Sequence, residues 1–405
     1  MTRPRTWIAV AAVAVVAAAA LVAPRLWPGG AKSAPGRSAL HEAWRVRPGA
    51  NPVGHATGLV SDGRRVVTIQ EPLRMYPDAA PSRLTGYDGA TGKRLWRTAL
   101  AWTNDAEPVG GDGVVIIASG GKVGSPTVRT ADYVALDSRT GKQRWRVKVA
   151  RRTDPEPWVE AGDTQPVGAL RDGVFYYADG HAVIGVDAAT GAPRYRFTST
   201  ADNALAGPVA AGDRIAMIVR ATGRDRLDQS VLLLSPDLRT SARVLRTESY
   251  GFGPERMAVS GDTVLAWSGR KVWALDARTG RTILPGRDLP PQAGAVAVVG
   301  RTILATGAKP GLLDGYDLRT GRRTWSIGTK VDGDTESPTV QVVGGMLLTV
   351  GDDVAIVDPV RGRRVFHVTT EEARSLLPGA SFGGHAVAAA GRVVVYGMNG
   401  LIGYR

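Results

Sequence analysis

The stretch GYDGATGKRLW, from Gly86 to Trp96, decides the fold, because the chain repeats it. It returns as ALDSRTGKQRW (Ala135 to Trp145), GVDAATGAPRY (Gly185 to Tyr195) and SPDLRTSARVL (Ser235 to Leu245). It continues as ALDARTGRTIL (Ala274 to Leu284), GYDLRTGRRTW (Gly315 to Trp325) and IVDPVRGRRVF (Ile356 to Phe366). Its aspartates are Asp88, Asp137, Asp187, Asp237, Asp276, Asp317 and Asp358, at intervals of 49, 50, 50, 39, 41 and 41 residues. A period of that length marks supersecondary units that bury their apolar faces only against one another.

Each unit has the chemistry of a tight hairpin. The aspartate accepts from nearby backbone N–H groups, the threonine can do the same, and a glycine supplies a positive φ. Those glycines are Gly92, Gly141, Gly191, Gly280, Gly321 and Gly362. Eight residues after the aspartate stands an aromatic or large apolar residue, Trp96, Trp145 and Trp325 in the fullest copies. It lies on the outgoing strand, placed to pack between neighbouring sheets. A second signature precedes each unit, a small-Gly-Asp turn followed by β-branched residues, as in GGDGVVIIA (Gly110 to Ala118) and SGDTVLAW (Ser260 to Trp267).

Eight of these second hairpins face seven aspartate units. The chain ends settle the mismatch: LIGYR (Leu401 to Arg405) halts where an aspartate is due, and HEAWRV (His41 to Val46) supplies the missing outgoing strand with Trp44. The expectation is an all-β, eight-bladed β-propeller, its ring closed by the N- and C-terminal strands. The tryptophan-docking pattern resembles that of pyrroloquinoline-quinone (PQQ) repeat propellers, a family that includes quinoprotein alcohol dehydrogenases and outer-membrane assembly propellers. The resemblance runs over residues 40 to 405. Where the pattern erodes, at Ser241, Leu245, Leu284 and Phe366, looser blade contacts are expected.

Ahead of the repeats, Trp7 to Ala23 carry no charge and follow Arg3 and Arg5. This predicts a cytoplasmic n-region at 1–6, a signal anchor or transmembrane helix at 7–27, a linker at 28–38 and the propeller at 39–405. The rival is a cleaved signal peptide and a secreted propeller; Pro24 after the best small-residue site argues against cleavage. An uncleaved anchor places the chain in the cell membrane as a single-pass protein with the propeller outside. The eleven-residue linker reaches roughly 20 Å and keeps the propeller near the bilayer.

Basic residues outnumber acidic ones 51 to 37, and 43 of the basic ones are arginine, for a net charge of +14. Their distribution matters more than the total. The Asp-Thr-Gly turns join third to fourth strands on one face and sum to about +9, while the inter-blade connectors on the other sum to about −8. The basic turn face, where the linker enters, is expected to meet an anionic membrane surface, each basic residue near it contributing roughly 1 kcal/mol. The acidic loop face is expected to bind a protein or cell-envelope partner. Its candidates are Trp102, Asp105, Glu107, Trp158, Glu160, Tyr250, Phe252, Asp332, Asp334 and Glu336, aromatic residues set among carboxylates. No nucleic-acid partner is expected for an outward-facing, monomeric propeller.

Catalysis has less support. The resemblance implies, for the dehydrogenases, a vicinal disulfide against the quinone and a Ca²⁺ held by Glu, Asn and Asp. The sequence has no cysteine, and no such ligand set is placed by motif. Gly379-Ala380-Ser381-Phe382-Gly383 matches a nucleophile elbow but lacks the strand and helix that motif needs. Asp332, Asp334 and Glu336 lack the glycine and distal glutamate of a calcium loop. The expectation is a non-enzymatic binding or scaffolding module with no cofactor and no metal, the alternative being a divergent PQQ-dependent oxidoreductase with Ca²⁺.

Overall fold

A computed structural model describes residues 42–46, 55–71, 81–100, 108–119, 132–149, 168–179, 181–199, 202–221, 229–247, 256–268, 271–289, 294–306, 311–328, 339–343, 345–350, 354–368, 385–397 and 400–405. They form eight four-stranded antiparallel sheets. Seven are meanders in chain order, occupying residues 55–100, 109–147, 169–198, 202–247, 256–288, 294–328 and 339–368, blades 1 to 7. Blade 8 joins the ends of the chain. His385–Ala389, Arg392–Gly397 and Gly400–Tyr404 are its first three strands, and Glu42–Val46 is its fourth. The closing pair is antiparallel, Glu42 opposite Tyr404 and Val46 opposite Leu401. The first strand of each blade touches that of the next, and blade 8 returns to blade 1.

Burial follows from stacking sheets radially. A second strand has a neighbouring blade on either side, so Val114–Ser119 (VVIIAS) is buried along its whole length, with no polar alternation. A fourth strand forms the outer edge and alternates, as Arg94–Leu100 does. Arginines crowd these outer strands, and charge on an unpaired edge discourages pairing with another chain. Eight apolar clusters fill the eight junctions among the described residues. Between blades 2 and 3, for example, Ile116, Ala135 and Trp145 meet Phe175 and Val186.

No helix among the described residues is long and apolar enough to cross a membrane. The expected anchor at 7–27 and linker at 28–38 lie outside the described residues.

Candidate functional site

The Asp-Thr-Gly turns consume their own polar groups. Asp88 Oδ1 accepts from the Ala90 and Thr91 N–H groups, at 3.1 and 2.9 Å, and from the Thr91 hydroxyl at 2.8 Å. The same three bonds recur at Asp137, Asp187 and Asp317. Asp276 accepts from the Thr279 N–H, and Asp358 from those of Val360 and Arg361. A carboxylate so surrounded holds its charge. Hydrogen bonds led by the Thr91 and Thr190 hydroxyls lower Asp88 and Asp187, and the Thr279 and Thr320 N–H groups lead in lowering Asp276 and Asp317. At Asp137 burial works upward, but hydrogen bonds from Arg144 and Thr140 outweigh it and bring the carboxyl down to about 2.

Four of the turns, those of blades 1, 2, 3 and 7, also receive a tryptophan from the preceding blade. The indole N–H of Trp96 donates to the Ser138 carbonyl at 2.8 Å, Trp145 to Ala188 at 2.8 Å, Trp325 to Pro359 at 2.9 Å and Trp44 to Gly89 at 3.2 Å. The ring lies across the turn glycine. A Cβ on Gly141, whose φ is +71°, would come within 2.4 Å of Trp96. On its other side the ring covers a glycine of its own blade: a Cβ on Gly86 would stand 2.2 Å from Trp96, and one on Gly315 2.1 Å from Trp325. A bulge just before Trp96, Trp145 and Trp325 turns each into this slot. The glycine two residues before the aspartate went unread in the sequence. Its signal was there, since Gly86, Gly185 and Gly315 accompany Trp96, Tyr195 and Trp325.

Blade 4 corrects the alignment drawn from sequence. Asp237 does not open its turn; Ser235 does. The Ser235 N–H donates to the Thr240 carbonyl at 2.9 Å, just as Asp88 N–H does to Lys93. Leu234 pairs with Ser241, as Tyr87 pairs with Arg94. A prolyl residue after Ser235 and no glycine beyond it force a tighter turn, with Leu238 at φ +57°. Asp237 stands one position past the carbonyl that receives the aromatic donor, and accepts from the Ser235 hydroxyl at 2.5 Å. The docking residues shift too. Val244, not Leu245, lies against Gly280, and the Arg287 stem, not Leu284, lies against Gly321. Leu245 and Leu284 are buried among the junction clusters instead.

First hairpins and Asp turns share one face, tied by backbone bonds: Gly89 N–H to Arg64, Ser138 N–H to Gly113, Ala188 N–H to Gly173 and Leu318 N–H to Arg301. Here the carboxylates that open the Asp-Thr-Gly turns are engaged and many cations are not. Asp137 pairs with Arg144 at 2.6 Å and Asp187 with Arg194. Arg64, Arg139, Lys142, Arg281, Arg319 and Arg322 are exposed and make no ion pair among the described residues. This face is therefore basic in structure as well as in sequence. Every expected residue of the opposite face, Trp102, Asp105, Glu107, Trp158, Glu160, Tyr250, Phe252, Asp332, Asp334 and Glu336, lies outside the described residues.

A family model described as outer membrane protein assembly factor BamB, of the PQQ_2 type, matches residues 129–284, from the third strand of blade 2 to the fourth strand of blade 5. Among solved structures, the chain is similar to BamB from Moraxella catarrhalis at 15% identity and a TM-score of 0.53, covering 91% of this chain and 97% of that one. The computationally designed protein Ika8 is similar at 14% identity and a TM-score of 0.53, over 87% and 96%. Quinohemoprotein alcohol dehydrogenase from Comamonas testosteroni is similar at 11% identity and a TM-score of 0.52, over 90% and 76%. No curated protein matches the sequence. The fold is that of a PQQ-like eight-bladed propeller. At these identities, the fold is what is shared.

Proposed function

We propose that this chain is a membrane-tethered, extracytoplasmic propeller that binds or scaffolds a protein or cell-envelope component without catalysing a reaction. One observation carries the reading: the repeat's aspartates, threonines and tryptophans are spent on holding the ring together, through the turn and docking bonds described above. What the described surface offers to others is a rigid disc with free cations on one face. The family model and the Moraxella structure add a propeller named for assembly of outer membrane proteins, an analogy at the level of fold. The apolar run at 7–23 and the short linker after it supply the tether.

The rival reading comes from the likeness to quinohemoprotein alcohol dehydrogenase. A quinone and Ca²⁺ would need convergent carboxylates, and, by the resemblance, a disulfide of adjacent cysteines. The sequence has no cysteine, and no three His, Asp or Glu side chains converge among the described residues. That donor set does not fit the group. Titrating the full chain with PQQ and Ca²⁺ while following thermal unfolding decides between the two. The expected result is an unmoved midpoint; a saturable rise at micromolar PQQ would sink the scaffold reading in favour of an oxidoreductase.

A further inference from the structure

Large apolar side chains are exposed at two places among the described residues, Val360 at 67% and Leu95 at 39%. Val360 stands two residues past Asp358 at the tip of the blade 7 turn, where other blades carry Ala90, Arg139, Ala189, Arg278 or Arg319. Leu95 is the second residue of the fourth strand of blade 1, beside Trp96. Blades 7 and 1 are the two neighbours of blade 8, and the N-terminal chain joins blade 8 at Glu42, at the turn end of its outer strand. The exposed apolar residues therefore lie in the two blades on either side of the one the tether enters.

Cations surround both. Arg361, 74% exposed along its side chain though 3.5 Å from the Asp358 carboxylate, and the exposed Arg363 follow Val360. Lys93 and Arg94 precede Leu95, and Arg405 is exposed at the end of the third strand of blade 8. An apolar tip ringed by basic groups matches the interface of an anionic bilayer, whose phosphates take the cations and whose acyl boundary takes the apolar side chain. A soluble acidic partner would satisfy the arginines and leave Val360 in water. Eighteen residues separate the end of the apolar run at Ala23 from Glu42, so this sector is the part of the ring held nearest the membrane.

We propose that the turn face over blades 7, 8 and 1 is a contact patch for an anionic lipid bilayer, with Val360 entering the headgroup region and the neighbouring arginines on lipid phosphates. This rests on the tethered reading and adds to it a fixed orientation: the ring leans on this sector, and the opposite face is turned away from the bilayer.

The absence of native cysteine makes the test clean, since one introduced thiol labels one site. Full-length Val360→Cys, Leu95→Cys and, as the control across the ring, Arg278→Cys carry an environment-sensitive fluorophore. Each is mixed with phosphatidylcholine vesicles, with or without phosphatidylglycerol, containing a lipid-bound nitroxide quencher. Co-flotation with the uncharged vesicles reads the tether; quenching reads the patch. Quenching about twofold or more stronger at position 360 than at 278, greater with phosphatidylglycerol and reduced by Arg361→Glu with Arg363→Glu, is expected. Equal quenching at 360 and 278, or none at 360, would overturn the patch even if the protein floats. If the protein does not float with uncharged vesicles, the tether reading fails. Preferential quenching at 360 on phosphatidylglycerol vesicles would then still uphold the patch, and its absence would remove both.

Discussion

The phenol of Tyr176 donates a 2.7 Å hydrogen bond to the carbonyl of Pro236, where the turns of blades 1, 2, 3 and 7 present a carbonyl to an indole. Blade 3 has Tyr195 where a docking tryptophan is due, and the blade 4 turn lacks the docking glycine. A residue from the second strand of blade 3 supplies the inter-blade bond instead. The junction lacks the motif but keeps the hydrogen bond.

Replacing Tyr176 by Phe removes that bond and leaves the ring in the apolar cluster of the junction. A loss of about 1 kcal/mol in unfolding free energy is expected, measured by chemical denaturation. An unchanged midpoint would mean that the hydroxyl contributes nothing to the junction.

Two glycines separate backbone strain from docking. Gly141 and Gly173 have φ of +71° and +72°, but a Cβ on Gly173 meets nothing within 4 Å while one on Gly141 strikes Trp96. Alanine at either carries a strain of about 1 kcal/mol. Gly141→Ala should cost a further 1–3 kcal/mol or so from overpacking against the indole. Equal midpoints for the two variants would show that Trp96 moves aside freely.

The turn aspartates predict a loss of stability in acid. Asp137 titrates near 2 in the folded chain, below its ordinary value of 3.8, so the unfolded state binds the proton first as pH falls. Its contribution is complete above about pH 4 and disappears as pH drops through 2; Asp88, Asp187, Asp276 and Asp317 act in the same direction. Denaturation curves at pH 5, 4 and 3 should show a smaller fall for Asp137→Asn than for the wild type. At the alkaline end, burial pushes Tyr133, Tyr176, Tyr316, Tyr396 and Tyr404 up to about 12. The unfolded phenols then ionise first, and stability should decline from pH 10 towards 12.

Ring closure is testable at Glu42–Val46. Removing residues 1–46 takes away the fourth strand of blade 8 and Trp44, which covers Gly403 in its own blade and Gly92 in blade 1. Removing 1–41 alone keeps both. The longer deletion should lower the unfolding midpoint by several degrees relative to the shorter one, and Trp44→Ala alone should cost about 3 kcal/mol. Identical melting of the two truncations would rule out a stabilising role for the closure.

Blade count and closure were legible because they rest on local chemistry. An Asp-Thr-Gly turn needs those residues in that order, and a tryptophan eight positions later needs a slot, so both leave a periodic trace from Asp88 to Asp358. Trp44 and Leu401 to Arg405 betrayed the shared blade because each was half of a known unit. Blade 4 misled because its spacing is intact, Asp237 to Leu245, while its hairpin is paired differently. Strand register is set by which pairs the junction can bury and by what a prolyl turn permits, and neither is written in the spacing.

The basic face shows the same division. Sequence alone placed arginines in the turns and fixed the sign of their charge. Whether those charges were free could not be read from it, because Arg144 and Arg139 look alike in a turn, yet Arg144 reaches Asp137 and Arg139 does not. That Val360 is exposed in a blade adjoining the one the tether enters is likewise a product of the closed ring. Residues 42 and 360 come to lie in adjacent blades only when the first strand completes the last sheet. Short-range turn chemistry, written in consecutive residues, determined the repeat and its number. The tertiary structure decided which cations are spent, which carbonyl each ring meets and which sector faces the tether, because those depend on contacts between blades distant in sequence.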